Sequence, residues 1–212
     1  SVPACVLRMS CIYGPRQLGT EDQGWLAHFL YCVRAGQPIS IFGDGRQVRD
    51  VLYVDDAVDA YLAAWKRIAD VSGTALNLGG GPSNAVTLMQ VLAEIGTITG
   101  RVPDVRYAAW RPGDQRYFVA DTRQAVAALS LGRPVAWADG LRRLDRWIAA
   151  ERMPARPRMM PPVGKSGPLT HFNSAFDFAS GLSIRCSAAS HSSAALCGGI
   201  EVAMPTAMPE VP

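Results

Sequence analysis

A chain of 212 residues, 49% hydrophobic and 18% charged, is long enough for one domain with a real core, or for one domain and a tail. A net charge of +3 argues against nucleic acid as a partner, and no apolar run approaches the roughly 20 residues of a membrane span, so no membrane partner is expected. Five cysteines without C-x-x-C spacing indicate neither a zinc site nor a disulfide framework; a cytoplasmic location is expected, and the opening "SVPACVLRMS" reads as a buried strand rather than a signal peptide.

In chain order, "ACVLRM" (4–9) is a short apolar run of the buried-strand kind, ended by a turn at Gly14-Pro15. Trp25, His28, Phe29 and Cys32 recur at helical spacing, and Gly36-Gln37-Pro38 stops that helix. "PISIFG" reads as a strand, Gly43-Asp44-Gly45 as a turn and "VRDVLYV" as a second strand. Asp55 or Asp56 is expected to cap a helix whose apolar stripe is Val58, Tyr61, Leu62 and Trp65. "ALNLG" is another strand. Thr87 caps a helix carrying Leu88, Val91, Leu92 and Ile95, which Gly100 ends. "DVRYAAW" is strand-like, Asp121 caps a short alanine-rich helix, and Asp139 opens a last helix with Leu141, Leu144 and Ile148 on one face. Strands alternating with helices predict an α/β fold. Beyond about residue 152 the periodicity dissolves into proline-rich "ARPRMMPPVGKSGP" and Ala, Ser, Gly and Met, which predicts a disordered, low-complexity tail over 153–212.

Lysine stands only at Lys66 and Lys165, so the cationic chemistry belongs to arginine. In "GDGRQVRDVLYVDD" (43–56), glycines permit close backbone approach and a guanidinium forks onto phosphate with two hydrogen bonds; the competing reading is a solvated hairpin. "WRPGDQRYFVAD" (110–121) holds a second pair, Arg111 and Arg116. Two arginine loops suit a diphosphate, or else Asp114 simply pairs with Arg116 in a connector. Glu21 and Asp22, ahead of the first helix, read most simply as capping and dipole partners rather than acid/base carboxylates. Gly164-Lys165-Ser166 lacks the earlier glycine of a phosphate loop, Gly79-Gly80-Gly81 breaks the dinucleotide pattern at Pro82, and the three histidines have no metal-ligand spacing.

Taken in order, "LRMSCIYGPRQ", "GDGRQVRDVLYVDDAVDAY", "ALNLGGG", "RPGDQRYFVAD" and "LGRPVAWADGLRRLDRW" resemble the C-terminal half of extended short-chain dehydrogenase/reductases, the NAD-dependent nucleotide-sugar epimerase/dehydratase family. The resemblance covers about residues 4 to 150. It implies the C-terminal, substrate-binding part of an extended Rossmann-type epimerase over 1–152, with NAD as cofactor. "YGPRQLGTEDQGW", with the second and fourth stretches, is most similar to the branch that inverts C2 of a CDP-linked dideoxyhexose. In that mechanism a tyrosine lowered in pKa by a lysine removes a hydroxyl proton while hydride passes to NAD+. The keto-sugar turns over and hydride returns to its other face.

By position, the resemblance places Arg49 and Arg111 on the nucleotide diphosphate and Asp114 near the ribose. It places Gln47, Arg16 and Gln17 along the sugar and phosphate cleft, and Cys11 and Tyr13 beside the nicotinamide. Arg46 becomes an exposed turn partner. The family's G-x-x-G-x-x-G loop and Tyr-x-x-x-Lys pair are absent: Tyr61 is followed four residues later by Trp65. The expectation is a truncated chain that keeps substrate recognition and is inactive alone, with an oligomer possible in the full-length protein. A catalytically dead binding remnant, or a fragment of a nucleotide-sugar 4-epimerase or 4,6-dehydratase, stands beside it.

Overall fold

Residues 2–151 are described by the computed structural model; the tail expected over 153–212 lies outside them. The chain runs β1 (Val6–Met9), β2 (Cys11–Tyr13), α1 (Trp25–Ala35), β3 (Ile39–Phe42) and β4 (Val48–Tyr53). It continues through α2 (Val54–Lys66), α3 (Ile68–Val71), β5 (Ala75–Leu78), a 3-10 turn at Pro82–Asn84 and β6 (Ala85–Thr87). Then follow α4 (Leu88–Thr99), β7 (Val105–Ala108), β8 (Tyr117–Phe118), α5 (Arg123–Leu129) and α6 (Trp137–Ala150). This is the mixed α/β architecture that the alternation predicts. α3, β6 and β8 had no sequence signal strong enough to be foreseen.

β1 pairs in parallel with β5, β2 with β4, and β3 with β7. β4 also carries β6 antiparallel, with Arg49 opposite Val86, and β8 parallel, with Arg49 opposite Phe118. β3 and β4 therefore join different ladders, and the solvated hairpin is not formed. The segment 43–47 instead carries the chain from one pair of strands to another. At Gly43 (φ +93°) a side chain is excluded twice over, by the backbone conformation and by the Trp110 ring, which would lie 2.5 Å from a Cβ.

Side chains alternate across β4, so Val51 and Tyr53 enter one core cluster and Leu52 the other. The first gathers α1, α4 and α6 through Leu30, Ile95, Leu141 and Leu144, all buried. The second packs Leu7, Leu76 and Leu78 under α2 and α5. Asp50, fully buried, ties β4 to the segments that follow β1 and β5: the Ser10 hydroxyl donates to its Oδ1 (2.5 Å) and the Gly81 N–H to its Oδ2 (3.0 Å).

α4 has the expected start, with Gln90 N–H donating to the Thr87 hydroxyl (3.1 Å) and Thr87 N–H to the Gln90 side chain (2.8 Å). α6 buries Leu141, Leu144 and Ile148 as its spacing predicts, but begins at Trp137, so Asp139 lies within the first turn. Asp121 accepts from the Arg123 N–H although Thr122 holds the cap position of α5.

α2 departs further. Its cap position is Tyr53, leaving Asp55 and Asp56 in the first turn, where they favour the helix dipole. Asp56 instead accepts the N–H of Val135 (2.9 Å). The buried face is Ala57, Ala60 and Ala64, while Val58, Leu62 and Trp65 are each about half exposed. Small residues let the helix lie close on the strands; of the expected stripe these three residues are turned outward, while Tyr61 packs against the second cluster and donates to the Met9 sulfur (3.2 Å).

Candidate functional site

The loops that follow parallel strands build the site. Extended alternation puts Gln47 and Arg49 on one side of the chain entering β4. Arg49 has only 14% of its side chain exposed and meets Asp114 at 2.6 Å, while its other amino group donates to the Val48 carbonyl (2.8 Å). Asp114 belongs to the turn of 109–116, whose backbone closes through Asp114 N–H to the Arg111 carbonyl (3.1 Å). The Arg111 guanidinium lies 3.8 Å from the centre of the Phe42 ring. The Phe42 carbonyl in turn accepts from Gln47 Nε2 (2.8 Å). These contacts run from Arg49 through Asp114, Arg111 and Phe42 to Gln47, and the backbone from Gln47 to Arg49 closes the ring.

Four of the residues placed at the site by sequence thus come together: Gln47, Arg49, Arg111 and Asp114. The expected local pair of Asp114 with Arg116 is not formed. Asp114 goes to Arg49, and Arg116 lies over the Trp110 ring at 5.3 Å. Arg46 is exposed, its N–H held by Asp44 (2.9 Å).

Glu21 and Asp22 are not caps of α1, which starts at Trp25 with no acid in its first turn. They reach across to Arg111 at 3.9 and 3.3 Å. This joins the loop 14–24, and with it Arg16 and Gln17, to the ring. Arg16 is exposed, in a left-handed conformation at φ 67°. Gln17 donates from Nε2 to the Ile12 carbonyl (2.9 Å) and accepts from the Tyr31 hydroxyl at its own carbonyl (3.1 Å). The amide oxygens of Gln17 and Gln47 are both buried without a hydrogen-bond partner.

Cys11 and Tyr13 stand elsewhere. Cys11 is half-buried in β2 against the first core cluster. Tyr13 is 2% exposed, donates to the Trp137 carbonyl (2.8 Å) and meets the Tyr53 ring edge-on at 5.8 Å. Burial raises its phenol far above the ordinary value, so it stays protonated. Gly140 admits this contact, since a Cβ there would overlap the Tyr13 hydroxyl.

Phe42 and Trp110 escaped the sequence reading. Phe42 looked like one more strand residue, and the adjacent glycine turn was the available clue that its ring faces a loop rather than a core. Among the described residues no group of three His, Cys, Asp or Glu side chains is arranged to hold a metal, and no helix is long and apolar enough to cross a membrane. Chemically, the ring offers two guanidiniums, Arg49 from strand β4 and shielded from water, Arg111 from the turn of 109–116 with a planar ring beneath it. Such an arrangement binds phosphate oxygens through paired, charge-assisted hydrogen bonds.

Residues 1–79 match the model of the NAD dependent epimerase/dehydratase family. The chain is 33% identical over 155 residues to CDP-paratose 2-epimerase of Salmonella typhi, covering 68% of this chain and 44% of that protein. Among solved structures it is similar to a UDP-glucose 4-epimerase with UDP-glucose from Thermotoga maritima (31% identity, TM-score 0.63, 70% of this chain and 47% of that one). It is similar too to a UDP-glucuronic acid 4-epimerase from Bacillus cereus, in complex with UDP-glucuronic acid and NAD (27% identity, TM-score 0.62, 68% and 45%). The chain spans less than half the length of each of these proteins. Five motifs in register, a Rossmann-type α/β arrangement and these likenesses agree, and the chain belongs to the NAD-dependent nucleotide-sugar epimerase/dehydratase family.

Proposed function

We propose that residues 1–152 carry the nucleotide-diphosphate-sugar site of an NAD-dependent epimerase, and that the substrate is a CDP-linked dideoxyhexose inverted at C2. The observation that carries this reading is the closed ring around Arg49 and Arg111. Two guanidiniums, one on strand β4 and one on the turn of 109–116, match the two charged phosphates of a nucleoside diphosphate. Asp114 holds Arg49 in place, and the resemblance assigns it to the ribose and Arg16, Gln17 and Gln47 to the sugar and phosphate side. The cytosine base and C2 rest on likeness to the Salmonella typhi enzyme. The uridine nucleotides bound by the solved neighbours favour a second reading, a UDP-sugar 4-epimerase.

The residues assigned to the cofactor do not by themselves fit a dinucleotide. Tyr13 is enclosed with its hydroxyl bonded to Trp137, and Cys11 lies within a strand. No tyrosine in the 212 residues stands four places before a lysine. The part of this polypeptide in the reaction is to bind and orient substrate.

Calorimetric titration of the folded chain with CDP, CDP-glucose, UDP and UDP-glucose tests the reading. Arg49→Lys and Arg111→Ala are each expected to weaken binding about tenfold or more, the worth of one charge-assisted hydrogen-bond pair. CDP ahead of UDP supports the C2 reading, and the reverse order the 4-epimerase. No binding by a folded chain means a silent remnant, and NAD-dependent turnover by the chain alone overturns the assignment of its role.

A further inference from the structure

We propose that the loop 14–24 is a latch held shut by Glu21 and Asp22, which occupy Arg111 in the ligand-free protein and must give it up when a diphosphate binds. The inference rests on the nucleotide-diphosphate reading of the arginine ring and goes beyond it, because it assigns the two carboxylates a competing role. Three independent features of the loop meet here.

The first is the pairing itself. Asp22 and Glu21 approach the Arg111 guanidinium at 3.3 and 3.9 Å, from a segment far from it in sequence. Arg111 is 39% exposed, Glu21 46% and Asp22 84%, so the contact is at the mouth of the ring and open to exchange. A phosphate oxygen and a carboxylate oxygen are the same kind of acceptor for a guanidinium, and one fork cannot serve both at full strength.

The second is the backbone. Arg16 stands at φ 67°, a left-handed conformation that a non-glycine residue adopts at a cost. The third is Gln17, whose amide oxygen is buried with no donor although its nitrogen is bonded to Ile12. A loop that keeps both features needs ties elsewhere. The ties are the Arg111 pairs, the Gln17–Ile12 bond and the Tyr31 hydroxyl on the Gln17 carbonyl. When a diphosphate takes Arg111, the tie to the facing loop goes; residues 18–24 and Arg16 are released, while Gln17 stays held by Ile12 and Tyr31.

The test uses the Glu21→Gln/Asp22→Asn double variant of the full chain, with Asp104→Asn as a control for removing an exposed acid. Hydrogen exchange over 14–24 is followed by mass spectrometry, and binding of inorganic pyrophosphate, CDP and UDP by calorimetry. The double variant is expected to exchange several-fold faster in this loop without ligand and to bind pyrophosphate about threefold more tightly, with the control unchanged. In the parent chain, pyrophosphate is expected to speed exchange in the same loop. Unaltered exchange in the double variant, or equal or weaker pyrophosphate binding, overturns the latch. So does the absence of any response to pyrophosphate in either form. Pyrophosphate exchange that persists where CDP and UDP fail to bind leaves the latch standing and removes the nucleotide-sugar reading.

Discussion

Arg49 is shielded from water and therefore needs an anion, and Asp114 supplies it through one 2.6 Å contact. The arginine was legible in the sequence because a glycine turn beside a guanidinium has a local chemical meaning. Its partner was not, because Asp114 lies 65 residues on and the nearer Arg116 offered an equally plausible local pair. His28 shows the same dependence on what folding brings near. It lies on α1 beside Cys32, whose sulfur is 3.6 Å from Nε2. Burial lowers its pKa, against a smaller upward pull from Glu21 and Asp22. The folded protein thus holds the neutral ring more readily than the unfolded chain does, and the unfolded chain binds the extra proton. The contribution to stability is full above the ordinary histidine value of about 6.5 and is lost as pH falls from there through the lower folded value. Thermal melts between pH 7.5 and pH 5 are expected to show a fall in melting temperature that His28→Asn does not share.

Helices with strong local signals were read closely. The Thr87–Gln90 capping box and the Leu141, Leu144, Ile148 stripe are short-range patterns, and nothing in the tertiary structure competes with them. α2 shows where period alone misleads. Two faces of that helix repeat at helical spacing, one of alanines and one of large apolar residues, and the pattern cannot say which meets the strands. The close approach of α2 to β2 and β4 decides it, and the alanines are the side chains buried there. Ala60→Leu, at a fully buried position, is expected to destabilise by about 1–3 kcal/mol through overpacking. Leu62→Lys, on the half-exposed face, is expected to change stability by no more than about 0.5 kcal/mol. Urea denaturation of the two variants reads this directly, and the reverse order would restore the face expected from the sequence.

Across the molecule, β4 is shared by both core clusters, so neither can lose its packing without disturbing the other. Val51→Ala and Leu52→Ala, on opposite sides of that strand, are expected to move one common unfolding transition by about 1–4 kcal/mol each. Two separate transitions in calorimetry would show the clusters to be independent. The alternation of strands and helices made the α/β class readable, and the five stretches in register made the family readable. Ladder partners were not, since register is set by which strands meet after the chain has crossed over, and β6 and β8 are too short to announce themselves.

The register of β4 also imposes an order in time. Its neighbours Cys11, Val86 and Phe118 come from before it, from the middle of the described chain and from near its end. As the polypeptide leaves a ribosome, Arg49 emerges long before Phe118, and pairings between residues this distant in sequence form later than local helices. α1 and α2 are thus free to form early, while the strand that carries Arg49 waits for β8 and the turn bearing Asp114 to arrive. The anion that steadies this arginine is among the last parts of the described fold to be made.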